Sequence, residues 1–230
     1  MRKHALLLAL AICPAFTHAQ DATPTPTPDP ATYVPEIARV EAARGNAAFS
    51  KGDYKAARAA YERVLDLAPN NLVALVNLGL VEFRAGESEK AEKYLRRAIQ
   101  QRLETGPAWL TLGVMEFEQG RTEEAFAALS QAVLYDPGNA RAHNYLGAVL
   151  GRKGWLDGAE AELRRTVEID PNSRDAHYNL AVIYLQRKPP AIELARRHYF
   201  RAIELGGKPD PEIEKTFAAA SSSPTATPTP

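Results

Sequence analysis

Residues 106–139 have the sequence GPAWLTLGVMEFEQGRTEEAFAALSQAVLYDPGN, and this 34-residue pattern recurs along the chain. Its small residues show the recurrence best, because they follow one another at intervals of 34 as Gly45, Gly79, Gly113, Gly147 and Ala181. A period of this length is typical of stacked helical pairs, in which each pair buries its apolar face only against its neighbours. The sequence therefore predicts an all-α solenoid of about five helical hairpins.

Two kinds of residue divide each repeat into two helices. The pairing of Gly113 with Ala125 predicts a close crossing of the two helices, because neither residue has a bulky side chain. Large apolar residues fill the second helices at equivalent positions, which are Tyr61, Leu95, Leu129, Leu163 and Tyr199. Pro69, Pro137 and Pro171 end second helices, since proline lacks the backbone donor that the next helical hydrogen bond needs.

The third repeat carries a recognisable signature, with Trp109, Leu112, Gly113, Ala125, Leu129, Ala132 and Pro137 in order. This order resembles the tetratricopeptide repeat family. The in-register copies cover about three quarters of the chain. The resemblance implies a right-handed superhelical solenoid whose first helices line a concave face, and the leader described below makes the chain similar to secreted or periplasmic bacterial members.

The repeats are predicted at about 38–71, 72–105, 106–139, 140–173 and 174–207, within a solenoid at 36–207. Glu41 and Arg44 occupy apolar positions of the first repeat, which predicts that its outer face meets water. In the fifth repeat Lys188-Pro189-Pro190 replaces the turn glycine and adds two residues, so this hairpin should be irregular. Asp210 is placed to cap a further helix at 208–220, which we expect to cover the last apolar edge.

The segment 1–19 is predicted to be a signal peptide. Arg2 and Lys3 precede an apolar run at 5–12 and a small-residue site that ends at Ala19. The expected location is therefore periplasmic or secreted, without stable membrane insertion, since the run is too short to span a bilayer. Lipid attachment at Cys13 is disfavoured, because bulky Ile12 precedes the cysteine and Pro14 follows it.

Proline and threonine dominate the segments on both sides of the solenoid, at 20–35 and 221–230. Such segments cannot bury a core and favour extended polyproline conformations, which predicts a disordered linker and a disordered tail. Their threonines leave two interpretations open, a solvated spacer and a site of O-glycosylation.

Composition and motifs argue against several functions. Lysine and arginine balance aspartate and glutamate at 28 each, which gives no charge argument for binding nucleic acid. His143 and His177 lie 34 residues apart at the position of Trp109, so a packing role is favoured over a metal site, which would need further ligands. We predict a protein without catalytic residues, metal or cofactor.

The family resemblance implies that peptides bind through fixed positions of the first helices. Carried over to this chain, these candidate groove residues are Asn46, Phe49, Val73, Val76, Asn77, Leu80, Phe83, Leu110, Thr111, Val114, Phe117, Asn144, Tyr145, Arg152, Tyr178 and Asn179. The amino-terminal half of this groove is expected to be apolar and the carboxyl-terminal half more polar and aromatic. Asparagine amides can both donate to and accept from the backbone of an extended peptide.

Three questions about the groove stay open at this stage. The first is whether Phe49, Phe83 and Phe117 form an open surface or pack against one another. The second is whether the tail of the chain fills the groove. The third is the identity of the partner. Some family members bind the carboxyl termini of chaperones through a clamp that contains cations. In this chain Ala42, Pro107 and Thr111 replace those cations, so the clamp cannot hold carboxylates.

The function expected from these features is a protein-interaction scaffold of the cell envelope that binds a peptide or helix of a protein partner. The alternative is a structural assembly protein, a homo-oligomer whose solenoids associate by stacking.

Overall fold

The computed structural model describes residues 36–222, and these residues form eleven α-helices. The predicted signal peptide, the linker at 20–35 and the tail from residue 223 lie outside the described residues. The helices are α1 (Glu36–Ser50), α2 (Tyr54–Leu67), α3 (Leu72–Arg84), α4 (Ser88–Gln101), α5 (Gly106–Glu118), α6 (Thr122–Tyr135), α7 (Ala140–Arg152), α8 (Leu156–Ile169), α9 (Arg174–Gln186), α10 (Ile192–Glu204) and α11 (Pro211–Ser222). Consecutive helices pack as five hairpins, which confirms the predicted all-α solenoid.

Capping residues and turn glycines set the ends of the helices. The side chains of Asn71 and Asn139 accept hydrogen bonds from the backbone N–H groups of Ala74 at 2.9 Å and Ala142 at 3.1 Å. These bonds satisfy donors that a helix amino terminus leaves unpaired. Between the helices of a hairpin, Gly120 adopts a φ of 76°, a left-handed conformation that residues with a side chain rarely take.

Each regular hairpin is closed by a large side chain that lies over a glycine. A Cβ atom at Gly79 would be 2.6 Å from Cγ of Leu95, and one at Gly113 would be 2.6 Å from Cγ of Leu129. The sequence pattern paired these glycines with alanines, whereas the tight contact is with the leucine four residues further along the second helix. Glycine is required here because no side-chain atom fits between the helices.

The two terminal hairpins depart from this regularity. In the first, Glu41 does not face water as predicted, because it is only 9% exposed and forms ion pairs with Arg44 at 3.1 Å and Arg63 at 3.5 Å. In the fifth, residues 187–191 replace the short turn. The N–H of Ala191 donates to the carbonyl of Tyr184 at 3.0 Å and closes this longer connection.

Helix α11 covers the carboxyl-terminal end of the solenoid. Its Ile213 and Phe217 are buried in the same apolar core as Tyr199 of α10. Asp210 caps the helix, since its Oδ1 accepts from the N–H of Glu212 at 3.0 Å. The helix continues to Ser222, two residues beyond the predicted end.

Acidic side chains are buried between the amino-terminal hairpins. Glu82 of α3 is 0% exposed, and both of its carboxylate oxygens accept from the guanidinium of Arg58 in α2, with the Nη2 to Oε2 distance at 2.6 Å. Glu116 of α5 is similarly buried and pairs with Arg121. Bidentate pairing satisfies the charge of Glu82 in a region that water does not reach.

Candidate functional site

The sixteen candidate residues all lie on the first helices of the hairpins, and we call the face they form the first-helix groove. Three of them are exposed, namely Asn46, Val73 and Arg152. Eleven are half-buried, namely Phe49, Val76, Asn77, Leu80, Phe83, Thr111, Phe117, Asn144, Tyr145, Tyr178 and Asn179. The remaining two, Leu110 and Val114, are buried.

Val114 and Leu110 belong to the core rather than to a contact surface. Val114 is 1% exposed, and both residues lie in one apolar cluster with Leu146 and Leu150 of α7. Their positions on α5 face the next hairpin, so their side chains join repeats three and four. A partner could reach them only if these repeats separated.

The amino-terminal part of the groove contains an apolar depression of about 390 Å³. It lies between α3 and the segment that leads into α5, and it is lined by Leu72, Val73, Val76, Asn77, Arg102, Glu104, Thr105 and Pro107. Val73 is 54% exposed and lies beside Val76 in this lining, so apolar surface is open to solvent here. This part can therefore accept an apolar group.

Phe49, Phe83 and Phe117 repeat along the groove without stacking into one column. The ring of Phe49 contacts Tyr54 with 5.8 Å between centroids, and the ring of Phe117 contacts Tyr145 edge-on at 5.7 Å. Phe83 packs against the cores of two neighbouring hairpins. Each ring is thus held by its own surroundings, and the faces left half-exposed line the groove.

The carboxyl-terminal part of the groove runs along α7, between α5 and α9. Two depressions of about 240 and 360 Å³ lie here and share Phe117, Ala148, Tyr178 and Asn179 as lining residues. Together they form what we call the α7 channel. Its floor is lined by small or apolar side chains, and its rim carries amides and a guanidinium.

Arg152 is held rigidly at one end of the α7 channel. Its guanidinium carbon lies 3.6 Å from the ring centroid of Phe117, and its Nη1 donates to the backbone carbonyl of the same residue at 3.2 Å. A cation over an aromatic face is attracted by the ring quadrupole. The contact fixes the orientation of a side chain that otherwise has many rotamers.

Two asparagines on the rim are connected to each other. Nδ2 of Asn179 donates to Oδ1 of Asn144 at 3.1 Å, which joins α9 to α7 across the channel. This pairing leaves the amide donors of Asn144 and the amide oxygen of Asn179 for a ligand. The predicted ability of these asparagines to bind a peptide backbone is therefore compatible with their geometry.

Several polar groups of the predicted site already have protein partners. The hydroxyl of Tyr178 donates to Oδ2 of Asp210 at 2.7 Å, and this bond, with burial, raises the pKa of Tyr178 to about 12. The same bond lowers the pKa of the Asp210 carboxyl. Oδ1 of Asn46 accepts from the hydroxyl of Tyr61, and the Thr111 hydroxyl donates to the carbonyl of Pro107 at 2.9 Å. These hydroxyl and amide groups are therefore engaged within the protein, and their side chains contribute to the shape of the groove rather than donating hydrogen bonds to a ligand.

The histidines at the Trp109 position stabilise the turns between hairpins. Nε2 of His143 lies 3.1 Å from the carbonyl of Pro137, and Nε2 of His177 lies 3.2 Å from that of Pro171. The indole N–H of Trp109 donates to the carbonyl of Leu103 at 2.7 Å in the same way. Within residues 36–222 no three potential ligands cluster to hold a metal ion.

His198 should make stability depend on pH. Its Nδ1 lies 2.9 Å from Nδ1 of His177, and burial, together with His177, Arg197 and Arg164, lowers its pKa from 6.5 to about 4. Between these values the unfolded chain binds more protons than the folded one, so stability falls as the pH decreases through this window.

The measurement is urea unfolding at neutral pH and at about pH 5, inside that window. In His198→Phe the decrease in unfolding free energy between the two conditions should be smaller than in the wild type, whatever the absolute stability. An equal decrease in both proteins would show that His198 does not titrate in this way.

The sequence analysis missed several residues that line the α7 channel, among them Ala148, Gly151 and Ile183. Beside the channel, Arg141 lies over the ring of Tyr145 at 5.6 Å. Gly151 stands where the phenylalanine repeat predicts an aromatic residue, after Phe49, Phe83 and Phe117 at intervals of 34. That interruption was visible in the sequence and marks the position of the deeper depression.

Consecutive packed helical hairpins with short turns define the class of helical-repeat solenoid proteins. The tetratricopeptide repeat profile matches residues 42–108 and 87–133, and a second TPR profile matches residues 113–154. The chain belongs to the tetratricopeptide repeat family, whose members are generally non-catalytic scaffolds.

Solved structures show the same fold. The chain is 26% identical to a structure of MamA, with a TM-score of 0.60, 75% of this chain covered and 96% of that one. It is 23% identical to TTC0263, a thermophilic TPR protein of Thermus thermophilus, with a TM-score of 0.60 and coverages of 80% and 98%. It is 20% identical to PilF of Pseudomonas aeruginosa, with a TM-score of 0.70 and coverages of 80% and 88%.

A search of curated proteins found no match to this chain. In the part of the chain that the structure describes, every helix is too short or too polar to cross a membrane.

Proposed function

We propose that this protein is a non-enzymatic scaffold that binds a peptide or a helix of a protein partner in the first-helix groove. The observation that carries the proposal is the apolar surface that remains open on the first helices. Val73, Val76, Leu80 and Phe83 stay exposed or half-buried on α3, and the α7 channel adds paired amides and the guanidinium of Arg152. Apolar surface rimmed by polar groups is characteristic of interaction sites.

The test begins with a ligand search that assumes no particular partner. A phage-displayed library of random peptides is selected on the full chain, and the enriched peptides are measured by fluorescence anisotropy. Two variants alter the groove without touching buried residues, namely Val73→Ser/Leu80→Ser in the amino-terminal part and Asn179→Ala in the α7 channel. At least one variant should weaken binding by about tenfold.

The matched control is Leu67→Ser/Leu134→Ser, which removes two exposed leucines from the second helices α2 and α6. Its affinity should remain within about twofold of wild type, and all variants should keep their helical circular dichroism. Failure to enrich any peptide would contradict the proposal, and so would equal binding by the groove variants and the control.

Self-association by stacking is the alternative, and one feature of α1 favours it. Val40 is well exposed, and Ala43 and Ala47 are exposed on the same helix. Small and apolar residues on the first helix would allow the end of another solenoid to approach closely. Sedimentation at micromolar concentration separates the two functions, because stacking requires oligomers whereas groove binding is compatible with a monomer.

We further propose that the scaffold acts outside the cytoplasm, in the cell envelope or after secretion. The support is the basic and apolar leader at 1–19 together with its small-residue site. Mass spectrometry of the protein from fractionated cells tests this proposal. A mature chain beginning at Gln20 in the envelope or medium is expected, and an uncleaved chain confined to the cytoplasm would contradict it.

A further inference from the structure

The α7 channel combines a gap in the aromatic series with the guanidinium of Arg152, which forms no ion pair with a carboxylate in the described part of the chain. Gly151 occupies the position of Phe49, Phe83 and Phe117 in its repeat, so it contributes no side chain to fill the groove at that point. The resulting depression of about 360 Å³ is bordered by Ala148, Leu163, Val182 and Ile183 below and by Arg152, Tyr178, Asn179 and Gln186 at the rim. Leu163 belongs to the second helix α8 and is fully buried beneath this depression.

Arg152 lines the larger depression, and Arg141 lies beside the smaller one, against its lining residue Tyr145. Arg152 lies over Phe117 and Arg141 lies over Tyr145, and in the described part of the chain neither forms an ion pair with a carboxylate. Asp175, the acidic residue that lines the channel, is neutralised by Arg174, with Nη2 and Oδ1 separated by 2.8 Å. The guanidinium of Arg152 is therefore available to a carboxylate of a ligand, although the whole chain carries no net charge.

The spacing of the arginines suits a short extended segment. They are eleven positions apart on one helix, which corresponds to about 16 Å at the rise of an α-helix. An extended peptide spans that distance in about five residues. A segment lying along α7 could thus place a side chain in the depression at Gly151 and a carboxylate beside Arg152.

We propose that the α7 channel selects acidic peptide segments in which an apolar side chain lies within one or two residues of a carboxylate. The apolar side chain fills the depression at Gly151, the carboxylate pairs with the guanidinium of Arg152, and Asn144 and Asn179 bind the peptide backbone. Because the contacts with Phe117 favour this orientation of Arg152, less rotamer freedom is lost on binding, which lowers the entropic cost of forming a charge-assisted hydrogen bond. The inference rests on the proposed function and assigns it a ligand chemistry.

The experiment is a double-mutant cycle on the selected peptides. Peptides enriched on the full chain should contain aspartate or glutamate next to leucine, isoleucine, methionine or phenylalanine. Changing the acidic residue of such a peptide to its amide should weaken binding to the wild type by about tenfold. The same change should have little effect on the affinity of the peptide for the Arg152→Gln variant. Arg84→Gln is the matched control, since Arg84 lies over Phe83 at 5.5 Å in another repeat.

A second variant tests the depression itself. Gly151→Leu places a side chain at this point, and the new Cβ would lie 2.7 Å from Cδ1 of Ile183, the end of a side chain that must shift to make room. Binding should fall by about tenfold while circular dichroism is retained. If Gly151→Leu fails to fold, the cycle with Arg152→Gln decides the proposal alone.

The outcomes separate this inference from the proposed function. In one outcome, the peptides bind Val73→Ser/Leu80→Ser more weakly than the wild type, but the effects of Arg152→Gln and of the acid-to-amide change in the peptide are additive. This outcome would overturn the acidic specificity and leave the groove function intact. Enriched peptides without acidic residues would do the same. Absence of any enriched peptide would overturn both.

Discussion

Replacing Arg58 with methionine is expected to lower the free energy of unfolding by about 3–5 kcal/mol, because it removes the partner of a buried carboxylate. Glu82 is completely buried, and both of its oxygens depend on the Arg58 guanidinium. Arg58 is the cation that pairs with this carboxylate between α2 and α3, so its removal leaves the charge of Glu82 without its ion-pair partner. Urea denaturation of the full chain, followed by circular dichroism, measures the change.

The double variant Arg58→Met/Glu82→Leu is the control for this prediction. It removes both charges and should recover most of the lost stability, since well-packed apolar residues can replace a buried ion pair at little cost. A single variant as stable as the wild type would contradict the burial of Glu82. A double variant no more stable than the single one would show that packing by Arg58, rather than its charge, is what matters.

Leu129→Ala is expected to lower the free energy of unfolding by about 2–5 kcal/mol by opening a cavity in the third hairpin. Leu129 is 0% exposed, and its side chain lies directly over Gly113, where no Cβ is present to fill the space. The two helices cannot move closer, because their backbones are already near contact at this crossing. The cavity should therefore persist rather than collapse.

The comparison variant is Leu134→Ala, a change of the same chemistry on the same helix at an exposed position. It should alter stability by no more than about 0.5 kcal/mol. Similar effects of the two substitutions in chemical unfolding would contradict the assignment of Leu129 to the hairpin core.

The sequence predicted the hairpins well because few residue types fit at the point where the two helices of a hairpin cross. Only a residue without a side chain fits beneath Leu95 or Leu129, and the recurrence of that glycine every 34 residues revealed both the period and the phase. The helix ends were predictable for a similar reason, since Asn71 and Asn139 are efficient capping side chains. Local chemistry and repeat spacing contain this information.

The pairing of charged residues was not predictable from local chemistry. Glu82 is an ordinary acidic residue in the sequence, and its partner Arg58 is 24 positions away on another helix. Glu41 likewise appeared to be a surface residue of a terminal repeat but is buried beneath Arg44 and Arg63. Such pairs depend on the angle between neighbouring hairpins, which the period alone does not determine.

The candidate site was predicted in outline and not in detail. Family positions identified the correct face of each first helix, but they included Val114, which the packing of α5 against α7 buries. They also included Tyr178, whose hydroxyl is engaged by Asp210 from the segment before α11. The depression at Gly151 was overlooked because the family's binding positions identify side chains that could contact a peptide. This depression lies where the repeat has a glycine in place of a phenylalanine.

Photo-crosslinking tests the groove function most directly. The tightest peptide from the library selection is synthesised with benzoylphenylalanine in place of its apolar residue, irradiated with the full chain and mapped by tandem mass spectrometry. The account predicts adducts on first-helix residues that face the groove, such as Leu80 on α3 or Val182 on α9. Adducts confined to second-helix residues outside the groove, such as Leu134, or to α11, would contradict it.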